Sequence, residues 1–83
     1  MLRARFGILR QILIDLGFAM HASPKSIRFD GPDGKTWFLF KPYGEDEEVS
    51  AGDLVATRYH LDMGNLLSRE RFEELLRQKL VAG

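Results

Sequence analysis

The chain has 83 residues, twelve basic and twelve acidic, with 45% apolar side chains and no cysteine. That length holds a single domain over residues 1–83, burying roughly two-thirds of its unfolded surface. The composition excludes a disordered chain. The lack of cysteine excludes a disulfide framework, a thiolate zinc site and a thiol nucleophile, and zero net charge argues against strong non-specific nucleic-acid binding.

Phe6, Leu9, Ile12, Leu13 and Leu16 recur at helical spacing and predict a first helix from about Ala4 to Leu16, loaded with Arg3, Arg5 and Arg10. Gly17 stands where a left-handed C-terminal cap belongs. Arg10 and Asp15 interrupt the apolar run, so neither a secretory leader nor a span of ~18 apolar residues is expected; the chain reads as cytoplasmic, with no membrane partner. Phe18 to Ala22 predicts a short strand, ended by the turn Ser23-Pro24-Lys25-Ser26. Ile27-Arg28-Phe29-Asp30 alternates apolar and charged residues, as a strand with one buried face does. Gly31-Pro32-Asp33-Gly34 is the strongest turn signal and joins the second and third strands as a hairpin.

Lys35-Thr36-Trp37-Phe38-Leu39-Phe40-Lys41 follows. Four large apolar residues between two lysines predict a strand that is apolar on both faces. Trp37 and Leu39 point one way and Phe38 and Phe40 the other; one pair packs under the helices and the other faces away from them. A surplus apolar face marks an interface, with Trp37, Phe38 and Phe40 as its expected anchors. Its occupant is a second copy, giving a homo-oligomer, or a protein partner.

Glu45-Asp46-Glu47-Glu48 concentrates a third of the acidic residues and leaves the remainder at +4. It lacks the alternating oxygen spacing of a calcium loop and reads as a solvated loop. Ser50 and Asp53 match a capping box at the start of a second helix, Ala51 to Met63, which Gly64 ends in the left-handed region. Its expected buried stripe is Ala51, Leu54, Val55 and Leu61, with Arg58 as a semi-buried anchor paired to Asp62. Ser68 caps a third helix with Phe72, Leu75, Leu76 and Leu80 on its apolar face, and Glu73 four residues from both Arg69 and Arg77. The order is helix, three-stranded antiparallel meander, two helices: an α+β domain with its helices on one sheet face.

Gly17-Phe18, the turn at Ser26, Pro32-Asp33-Gly34 and the helix start Gly52-Asp53-Leu54 together resemble HicA, the small toxin of HicA–HicB pairs, over roughly Gln11 to Phe72. The resemblance implies a double-stranded-RNA-binding-like fold, mRNA endonuclease activity and a HicB-like antitoxin as partner. The family's histidine lies on the strand after the first turn, in a Gly-Ser-His stretch. This chain has Lys25-Ser26-Ile27 there, and isoleucine carries no proton near neutral pH. His21 and His60 sit on other elements and, without a carboxylate cluster, do not form a zinc site. No catalytic residue, metal or cofactor is assigned. The expected function is a non-catalytic, HicA-like interaction module. The alternative is a HicA-like endonuclease or RNA-binding protein of a toxin–antitoxin pair. In that reading Arg3, Arg5, Arg10, Lys25, Arg28 and Lys41 form the RNA-facing patch, Trp37 or Tyr43 offers a stacking surface, and His21 joins Lys25 and Arg28 in the chemistry.

Overall fold

Backbone hydrogen bonding in the computed structural model, which describes residues 2–82 and the side chains of residues 2–78, gives the order α1 (Phe6–Asp15), β1 (Ala19–Ala22), β2 (Ile27–Asp30), β3 (Trp37–Phe40), α2 (Ala51–Met63) and α3 (Arg69–Ala82). The strands form an antiparallel sheet in the order β1-β2-β3, so the fold is the expected α+β arrangement. Leu80 of the expected α3 face lies outside the described side chains.

α1 starts two residues later than its apolar spacing predicts, because Ala4 and Arg5 belong to another interaction. The Ala4 carbonyl accepts from Val49 N–H at 2.9 Å, and Arg5 forms an isolated antiparallel bridge with Glu48. The first helical N–H groups have no partner within a helix. Here Phe6 N–H donates to the Glu47 carbonyl (2.8 Å) and Gly7 N–H to the Glu45 carbonyl (2.9 Å), so the acidic loop caps the helix through its backbone. At the other end Gly17 has φ +98, its N–H reaches the Ile14 carbonyl and that of Phe18 reaches Leu13. This closing pattern needs a left-handed residue, and glycine takes that conformation without a Cβ penalty.

The Gly31–Thr36 turn is organised by Asp33. One of its carboxylate oxygens accepts the N–H groups of Lys35 (3.0 Å) and Thr36 (2.9 Å), and the other accepts the Thr36 hydroxyl (2.8 Å). These donors hold the carboxyl well below its ordinary value, at about 2. The register then sets Met20 beside Phe29 and Phe29 beside Phe38, with Ile27 beside Phe40. Phe29 is fully buried at the centre; Phe6 packs on it at 6.3 Å and stacks on Tyr43 at 5.4 Å.

α2 has the predicted bounds. Ser50 accepts the Asp53 N–H at 3.2 Å, the cap that fixes its first turn. Its end differs from expectation. Gly64 has φ −83, and the left-handed residue is Asn65 at φ 57, whose N–H reaches Asp62 while that of Leu66 reaches Leu61. Gly64 instead meets a close neighbour, since a Cβ there would sit 3.0 Å from the Thr36 hydroxyl. The buried stripe is Leu54, Thr57 and Leu61; Val55 and Ala51 are exposed. Thr57 is fully buried because its hydroxyl donates to the Asp53 carbonyl at 2.7 Å, leaving no unmet polar group.

α3 is capped by Ser68 (3.2 Å to Arg71 N–H) and buries Phe72 and Leu76. Arg58 is half-buried as expected, but its partner is Glu73 on α3 at 2.6 Å, not Asp62. Glu73 is therefore engaged across the two helices rather than along α3. Within α3 the described ion pair is Arg71 with Glu74.

Candidate functional site

β3 is an edge strand. Gly31 N–H donates to the Thr36 carbonyl at 2.7 Å, which makes Gly31–Thr36 a hydrogen-bonded pair. Antiparallel ladders alternate bonded and non-bonded pairs. With the observed register, Phe38 and Phe40 turn their backbone groups toward β2, while Trp37 and Leu39 turn theirs to the free edge. Side chains alternate as well. Phe38 and Phe40 are 6% and 5% exposed and stack 6.0 Å apart in the core. This corrects their expected place among the interface anchors: they are buried by the domain's own helices. Trp37 and Leu39 are 54% and 58% exposed. The surface side chains of β3 and its unpaired backbone groups thus belong to the same two residues. Leu39 was already on the side of Trp37 by simple alternation.

A groove of about 680 Å³ runs beside this edge. One wall is Lys35 to Phe40; the other is the α2 face formed by Asp53, Ala56, Thr57, His60, Met63 and Gly64. Helical spacing produces that second wall, since positions three or four apart share a face. The α2 wall is fixed at its start by Tyr43, which is buried. Tyr43 Oη donates to the Asp53 carboxylate (2.6 Å) and accepts the Ser50 N–H (3.1 Å). His60 lies edge-on to Phe38, 6.2 Å between ring centres, and Met63 is exposed at the far end. Sequence reasoning missed this wall, because α2 has few apolar residues to announce a second face.

The open face of the sheet is not uniformly apolar. Across it run Ala19–Asp30–Trp37 and His21–Arg28–Leu39. Arg28 bonds Asp30 at 2.8 Å and lies 4.8 Å over the Trp37 ring, and His21 Nε2 is 3.5 Å from Asp30. Among the described residues its large apolar side chains are those of the Trp37–Leu39 margin.

The six basic residues expected to face RNA do not gather into a free patch. Arg3 pairs with Glu48 (2.8 Å), Arg10 with Glu45 (2.7 Å) and Lys41 with Glu47 (2.8 Å), so the acidic run neutralises half of them. The Glu47 and Glu48 carboxyls lie below their ordinary values and Lys41 and Arg3 above theirs, in each case first through the shared hydrogen bond. Arg28 is held by Asp30, while Arg5 is exposed beside the Glu48 bridge and Lys25 in the β1–β2 turn. The run expected to be merely solvated is an ion-paired strap over the start of α1.

His21 stands on the open face and His60 in the groove, so they do not meet. Among the described residues no group of three histidine, cysteine or acidic side chains could hold a metal ion. Among the same residues, no helix is long and apolar enough to cross a membrane. No family model, curated protein or solved structure matches this chain.

Proposed function

We propose that the chain is a small non-catalytic interaction module of HicA-like architecture, working in the cytoplasm, that self-associates or binds a partner protein through its aromatic third strand. One observation carries this reading: at Trp37 and Leu39, exposed apolar side chains coincide with backbone groups that no strand among the described residues pairs, beside the groove under α2. Edge strands are usually blunted by charge, proline or a covering segment. Here charge flanks the strand at Lys35 and Lys41 and leaves its middle open.

A photo-cross-linking amino acid in place of Trp37, in the full chain inside the producing cell, tests the role of β3. The control is the same substitution at Val55, which is also exposed but on α2 away from the groove. Adducts to a second copy or to another polypeptide at position 37, and not at 55, support the module. Equal or absent adducts refute it.

A second reading rests on the open face, where His21, Asp30 and Arg28 lie together: RNA cleavage by a HicA-like protein with displaced residues, under a HicB-like antitoxin. Growth arrest on expression that His21→Ala abolishes is its expected result; arrest that survives His21→Ala, or none, removes it.

A further inference from the structure

We propose that the groove takes an extended segment of a partner protein as a fourth strand along β3, apolar at alternate positions and bearing a carboxylate where it meets Lys35; this rests on the interaction role of β3 given above. The Trp37 and Leu39 N–H and C=O groups form two donor–acceptor sets on the outer edge. Pairing to them places a guest strand about 4.8 Å away, in the space that the groove occupies between β3 and α2. Main-chain bonds of this kind supply affinity, and pockets for alternate side chains supply selectivity.

The sides of such a guest are settled by the pleat. Its residues level with Trp37 and Leu39 lie on the open face and extend that apolar margin. The residue level with Phe38 turns the other way, toward Ala56, His60 and Met63. The groove volume falls within the roughly 300–1,000 Å³ typical of ligand sites, so that inward side chain has room.

A second copy fits less well. Two copies of β3 paired through Trp37 and Leu39 would set Lys35 of each directly across from Lys41 of the other. Like charges directly opposite are destabilising, a penalty that Glu47 beside Lys41 reduces without supplying Lys35 a partner, and lysines at an edge are a common guard against self-pairing. Lys41 is held by Glu47, whereas Lys35 forms no ion pair among the described residues. Asp33 beside it is engaged by three donors, so a guest carboxylate finds Lys35 unclaimed.

The test pans a random peptide library against the full chain, then titrates synthesised winners into isotope-labelled protein. The expected result is winners with alternating apolar residues and aspartate or glutamate at one end. They should shift the Trp37 and Leu39 amides most and bind about tenfold more weakly to Lys35→Glu. Winners whose shifts lie elsewhere, or which ignore Lys35→Glu, overturn the acid-ended strand. A dimer in light scattering with the Trp37 and Leu39 amides protected makes a second copy the occupant; it overturns this inference while the module stands. The same holds if no peptide is selected but position 37 still cross-links. No winners and no adduct at position 37 sink both.

Discussion

Tyr43→Phe tests how α2 is held beside the sheet. The phenylalanine ring keeps the stack on Phe6 (5.4 Å) and the contact with Phe40 (6.4 Å), so packing is preserved. Only the hydroxyl goes, and with it the bond to the Asp53 carboxylate and the acceptor for Ser50 N–H. A hydrogen bond to a charged group is worth about 1.5–3 kcal/mol and a neutral one about 1 kcal/mol. Both groups are only part-buried, so water replaces some of the loss, and the expected cost is about 2 kcal/mol. For 83 residues the whole stability is of order 4–12 kcal/mol, so this is a large fraction. With a urea slope of about 1 kcal/mol per molar, the midpoint by circular dichroism should fall by about 2 M. A midpoint within about 0.5 M of the parent would refute the clamp and detach the groove's second wall from its proposed anchor.

Removing Arg58 and Glu73 singly and together should give a coupling energy of about 1 kcal/mol, since the pair is only part-exposed and joins two helices; a value near zero in a double-mutant cycle would mean that apolar contacts alone hold α3. The folded Asp33 carboxyl, at about 2 against an ordinary 3.8, stays ionised where the unfolded one takes up a proton. Its contribution to stability is therefore full above pH ~4, shrinks through the interval and is gone below pH ~2. Urea midpoints of Asp33→Ala should accordingly drop less between those pH values than the parent's, and parallel curves would place the acid sensitivity elsewhere. Exchanging Glu45, Glu47 and Glu48 for glutamine frees Arg3, Arg10 and Lys41. Duplex RNA should then bind at low salt and dissociate as salt is raised, while the parent shows little binding by fluorescence anisotropy; equal binding by the two proteins would contradict the ion-paired strap.

Local signals carried the fold. The Ser50 hydroxyl and the apolar residues of α2 act within one or two helical turns, and the predicted Ala51–Met63 matches the helix observed. The end at Gly17 likewise closes α1 locally, its N–H bonding the Ile14 carbonyl and that of Phe18 the Leu13 carbonyl, all within a few residues. Counting apolar residues failed where a polar side chain satisfied itself: Thr57 buries its hydroxyl against Asp53, and Val55, one position from Leu54, turns to solvent. The four-residue apolar run of β3 could not say which pair faced inward, because that depends on which side the helices take. The partners of the acidic run were hidden for a similar reason, lying 35 and 45 positions away for Arg10 and Arg3. The groove needed both facts at once, an edge position for β3 and a helix beside it.

The strap over α1 also orders events in time. Its first turn borrows acceptors from Glu45 and Glu47, and its approach is stitched to Glu48 and Val49. Closing so long a span is entropically costly before the intervening hairpins exist. During synthesis, the first turn of α1 therefore stays unfinished until the stretch past position 49 has left the ribosome, and a nascent chain halted before that point carries a helix whose leading end frays in water.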